Sequence, residues 1–107
     1  MSYEIYEGGC ANGTCLQDYM VASYDQLVQA FGEPTYTDTS GDDKVNIEWV
    51  LTIENEDESY VATIYNWKDY DGGLVARTNP EYRWHIGGKS IMAALILKEE
   101  FTKGVSA

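Results

Sequence analysis

With 107 residues, 44% hydrophobic and 13% aromatic, the chain suits a single packed domain and excludes a disordered one. Its 18 Asp and Glu against 7 Lys and Arg give a net charge of −11. That balance argues against direct nucleic-acid binding and against adhesion to anionic membranes, since both need a basic face.

No apolar run approaches the roughly 18 residues needed to cross a bilayer. Residues 1–7 lack the basic and apolar regions of a secretory signal, so a soluble, cytoplasmic protein is expected. The acidity itself has three readings: attraction to a basic partner, plain solubility, or salt adaptation, since Lys is sparse.

In chain order, residues 2–10 and 15–21 flank Ala11-Asn12-Gly13-Thr14. Asn-Gly favours a type I′ turn, so an N-terminal hairpin is predicted, with Cys10 opposite Cys15. That pair would form a disulfide or remain two reduced thiols. Ser23 and Gln26 have the spacing of a capping box, and Tyr24, Leu27, Val28 and Phe31 form the apolar face of a short helix stopped by Gly32 and Pro34. Residues 44–54 alternate with a period of two, which places Val45, Ile47, Trp49, Leu51 and Ile53 on one buried face. A turn over 54–58 leads to a strand at 60–68, then an irregular stretch at 69–80 and a strand at 82–86.

Gly87-Gly88 should turn the chain and Ser90 should cap a last helix over 90–103, ended by Gly104. Its core stripe would be Ile91, Ala94, Leu95 and Lys98, widened by Ala93, Leu97 and Phe101. The expectation is therefore an α+β domain: hairpin, short helix, three-stranded antiparallel meander, and a C-terminal helix packed on the sheet.

Few motifs carry chemistry. Gly87-Gly88-Lys89-Ser90 resembles the end of a phosphate loop, but the first glycine of that motif would fall at Arg83. A helix start still suits an anion, so Arg83, His85, Gly88, Lys89, Ser90 and Trp67 form a candidate small-ligand set. The single His and two Cys match no familiar metal spacing, and no cofactor is expected. No Ser stands in a nucleophile motif.

The acidic clusters are the other candidate. In a meander, Glu54, Glu56, Asp57 and Glu58 gather at one end with only Lys89 nearby. Asp42, Asp43, Asp69 and Asp71 gather at the other end, where Lys44, Lys68, Arg77, Lys98 and Lys103 offset them. The bland alternatives are a polar turn for the first group and a helix cap for Ser90.

The segments at 14–21, 24–34, 47–49, 62–68 and 84–90 together resemble a type of small bacteriophage-encoded protein. The likeness covers roughly residues 14–94 and implies no catalytic residue. Small acidic phage proteins also resemble anti-defence inhibitors, some of which imitate DNA in the groove of a CRISPR or restriction enzyme.

The expected function is thus non-enzymatic inhibition of a host nucleic-acid-handling protein through a basic surface. The alternatives are a nucleotide sponge and a virion structural component. Homodimerisation through a sheet edge, or through an aromatic surface around Tyr65, Trp67 and Tyr70, fits all three.

Overall fold

The computed structural model describes residues 3–9, 14–35, 47–66 and 74–106, with only the backbone of 74, 75 and 103–106. The elements are β1 (Glu4–Glu7), β2 (Cys15–Ala22), α1 (Tyr24–Phe31), β3 (Glu48–Glu54), β4 (Ser59–Tyr65), α2 (Leu74–Thr78), β5 (Tyr82–Gly88) and α3 (Ile91–Ser106). The strands form one antiparallel sheet in the order β1-β3-β4-β5-β2. The α+β class and the β3–β4–β5 meander hold, and two further strands extend the sheet to five.

The N-terminal hairpin does not form, because β1 and β2 occupy opposite edges. Register shows how the chain gets from one to the other. Glu7 pairs with Leu51, Leu51 with Ala62, Ala62 with Gly88, and Gly88 with Cys15. The connection from Glu7 to Cys15 therefore joins the two ends of one cross-sheet row. Those ends lie four inter-strand gaps of about 4.8 Å apart, roughly 19 Å in all.

The crossing starts on the face of the sheet that carries Val50, Thr52, Val61 and Thr63. There the Gly8 N–H donates to the Val50 carbonyl at 2.8 Å, and the Thr52 hydroxyl donates to the Gly8 carbonyl at 2.8 Å. Gly9 has φ +130°, and a Cβ there would lie 2.8 Å from Thr52 Oγ1, so only glycine suits this approach. Asn12-Gly13 and Cys10 lie outside the described residues. Cys15 is an exposed free thiol.

β3 is buried on both faces. Alternation predicts Trp49, Leu51 and Ile53 inside, and all three are fully buried, but Val50 and Thr52 on the opposite face are buried as well. Gly8 and Gly9 lie against Thr52 on that face.

The main core lies on the other face, under the helices. Trp49, Leu51, Ile53, Ala62, Ile64, Trp84 and Ile86 meet Leu27 of α1 and Ala93, Ala94, Leu97 and Phe101 of α3. The Trp49 and Trp84 rings pack edge to face at 5.5 Å. Their indole N–H groups donate to the carbonyls of Gly32 (2.8 Å) and Ala22 (3.0 Å), so neither burial leaves a polar group unpaired.

α1 starts as expected: Ser23 and Gln26 complete the capping box, and Gly32 ends the helix at φ 84°. Three readings near α3 need correction. Gly87 and Gly88 continue β5 rather than turning it, since they pair with Thr63 and Ala62 on one side and with Leu16 and Cys15 on the other. A Cβ at Gly87 would sit 2.5 Å from Thr63 Oγ1, so glycine serves close packing here. α3 runs past Gly104 to Ser106. Ile91 and Leu95 face outward; Ala93, Ala94, Ile96 and Leu97 take the sheet side, where small residues let the helix sit close.

The stretch read as irregular contains α2. None of the helices among the described residues is long and apolar enough to cross a membrane.

Candidate functional site

The acidic corner is built by one turn and one edge strand. β3 and β4 are joined by residues 55–58. Asn55 holds this turn: its N–H donates to the Glu58 carbonyl at 2.9 Å, and its Oδ1 accepts from the N–H groups of Asp57 (2.9 Å) and Glu58 (2.8 Å). Such an Asx turn uses a short polar side chain in place of backbone pairing. It leaves Glu56, Asp57 and Glu58 exposed.

β1 then adds a carboxylate that sequence reasoning missed. Glu4 pairs directly with Glu54, and Glu4, Glu54, Asn55 and Glu56 line a shallow depression of about 310 Å³. Like charges placed opposite each other in a sheet cost stability, so the crest of Glu4, Glu54, Glu56, Asp57 and Glu58 is not a stabilising device. The signal for Glu4 was hidden by the hairpin reading, which paired its strand with the wrong neighbour.

Three phenols rim the crest. The Tyr3 hydroxyl donates to Glu58 Oε2 at 2.8 Å, and that bond, more than burial, pushes its pKa up. Tyr6 hydrogen-bonds Glu54 with the same consequence. Burial first, and then the Glu58 charge, raises Tyr60. A neutral phenol donating to a carboxylate fixes the acid without neutralising it.

Three of the four described cationic side chains are engaged elsewhere. Lys98 bonds Asp18 at 3.1 Å, Arg77 lies over the Tyr24 ring at 5.3 Å, and Arg83 over the Tyr19 ring at 4.5 Å. Among the described side chains, Lys89 is the cation at the crest's end of the molecule, in a depression it shares with Ser59, Tyr60, Val61, Ser90 and Ala93. Asp42, Asp43, Asp69 and Asp71, the second acidic group expected from sequence, lie outside the described residues, as does Trp67.

The small-ligand set is not brought together. Arg83 and His85 project from the face opposite Trp84, while Lys89 and Ser90 follow the far end of β5. From 83 to 89 the extended chain covers roughly 20 Å. Gly88 sits under α3, where a Cβ would meet that of Ala93 at 3.2 Å. The Ser90 carbonyl accepts from the Ala93 N–H at 3.3 Å, but the Ser90 hydroxyl is buried and makes no hydrogen bond among the described residues. The expected side-chain cap is absent.

His85 instead joins a row that sequence did not reveal. Glu48, Tyr65, His85 and Tyr19 pair successively across four strands. The imidazole packs against Tyr19 at 5.0 Å and Tyr65 at 5.4 Å. At the end of the row, burial pushes the Glu48 carboxyl up; burial first, and then Glu48, raises the Tyr65 phenol. Among the described residues no group of three or more His, Cys, Asp or Glu is arranged to hold a metal ion.

No family model, no curated protein and no solved structure matches the chain.

Proposed function

We propose that the protein is a non-enzymatic binder of basic protein surfaces, and that it inhibits a nucleic-acid-handling protein by occupying the groove where phosphates would lie. The observation that supports this reading most is the crest. Five carboxylates share one corner, Asn55 fixes the turn that carries three of them, Tyr3 and Tyr6 bond Glu58 and Glu54, and the described cations are mostly engaged elsewhere. The net charge of −11 would steer such a surface toward Lys and Arg. The likeness to phage anti-defence inhibitors makes a CRISPR or restriction enzyme in a host cell the first class of target to try.

The test is competition. Purified DNA-binding nucleases would be offered to the immobilised chain at low salt, then challenged with duplex DNA. Captured nucleases should be displaced by DNA and by added salt, and should not be held by the triple variant Glu56→Lys, Asp57→Lys, Glu58→Lys. Capture that neither DNA nor charge reversal disturbs would contradict the proposal.

A further inference from the structure

We propose that two copies of this chain pair through β2, forming one continuous antiparallel sheet with the two α3 helices side by side over the seam. The first observation is where exposed apolar surface collects. Among the described residues, Leu16, Tyr19, Val21, Ile91, Met92 and Leu95 are large, apolar and exposed, and all lie on β2 or α3; Tyr6 is the exception. The two elements are adjacent. Tyr19, Met20 and Val21 form a groove of about 330 Å³ with Lys98, Phe101 and Thr102 of α3. Helical spacing puts Ile91 and Leu95 on the stripe of Lys98 and Thr102, so they continue the same flank.

The second observation is the contrast between the sheet's edges. β1 is short and carries Glu4 and Glu7, the usual guard against edge pairing. β2 is eight residues long, and its single acid is spent on Lys98. A bulge falls between Leu16 and Asp18, so the upstream half is irregular; Asp18 Oδ1 accepts from the Tyr19 N–H at 2.7 Å, a bond that pairing at Tyr19 would replace. The downstream half is regular.

Met20 and Ala22 share the helix face and Tyr19 and Val21 the other, since they pair with Trp84 and Tyr82 and with His85 and Arg83 respectively. A two-fold centred on Met20 sets Tyr19 against the partner's Val21 and Met20 against itself, which keeps apolar groups together on both faces and satisfies the self-complementarity of a symmetric dimer. Strand pairing would supply the backbone bonds and the α3 flank the apolar contact, toward the roughly 1,000 Å² or more that a stable interface requires.

The third observation is charge. Each chain carries −11, so self-association is favoured where fixed anions are fewest. β2 is the edge farthest from β1, and pairing there leaves both crests outermost. The contact is then apolar apart from Glu99, exposed one turn beyond Leu95 on α3, and the chains repel at long range, so salt should strengthen it. Docking at the crest has the opposite salt dependence, so failure of either idea leaves the other standing.

Sedimentation equilibrium of the full chain at about 0.05 M and about 0.5 M NaCl, either side of the physiological Debye length, provides the test. Twice the chain mass is expected, with tighter association at the higher salt. Val21→Glu and Leu95→Glu, both at exposed positions on different elements, should each raise the dimer dissociation constant at least about tenfold, whereas Val21→Thr should not. A monomer at every concentration in both salts, or a dimer indifferent to both glutamates, would overturn the proposal.

Discussion

Glu48 is a carboxylate in a place that disfavours its charge. Burial raises its pKa, so the folded chain holds this proton more tightly than the unfolded chain. Stability tied to Glu48 is then highest in acid and falls as pH rises from the ordinary carboxylate range through the raised value. Glu48→Gln should raise Tm at neutral pH and lose that advantage in acid; an equal gain at both pH values would contradict the burial cause. Asp18 has the opposite sign. The Tyr19 N–H first, then Lys98, lower its pKa, so its contribution is present above the ordinary Asp range and is lost as pH falls below it. Both partners are partly exposed, so Lys98→Ala should cost at most about 1 kcal/mol. Gly87 makes a sharper prediction. Its missing Cβ leaves room for Thr63 Oγ1, so Gly87→Ala should cost about 1–3 kcal/mol by chemical denaturation. Thr63→Ala added to it should recover part of that loss, and strictly additive effects would reject the clash.

Among elements, legibility followed the range of the interaction. α1 was readable because every determinant is local: Ser23, Gln26 and Gly32 lie within ten positions and each makes the bond its identity implies. Ser23→Ala should therefore cost about 1 kcal/mol, measurable as a lowered denaturation midpoint. The β3–β4–β5 meander was readable from alternation and short connections. The hairpin failed because Asn12-Gly13 is a local signal, while β1 is placed by Ile5 against Ile53 and β2 by Met20 against Trp84, partners far along the chain. Gly87 and Gly88 failed similarly, since a pair of glycines signals a turn unless a neighbouring side chain or a helix needs the space. The Glu54–Glu58 turn of the crest was legible from composition and strand order. Glu4 was not, because its position depends on the long-range pairing of β1.

At the scale of the molecule, charge and apolar surface are separated. One sheet edge ends in carboxylates, and the other presents Leu16, Tyr19 and Val21 beside the open flank of α3. A sheet covered on one face by helices has its two edges and its turns left for recognition. The account assigns the acidic corner to a basic partner and the apolar edge to a second copy. It rests on the crest acting as a fixed array of anions. The most direct measurement is the affinity of a captured DNA-binding nuclease for the chain as a function of salt, with and without charge reversal at Glu56, Asp57 and Glu58. The account predicts a steep loss of affinity with rising salt that becomes shallow in the variant, together with competition by duplex DNA. An affinity independent of salt, or one the triple variant retains in full, would contradict it.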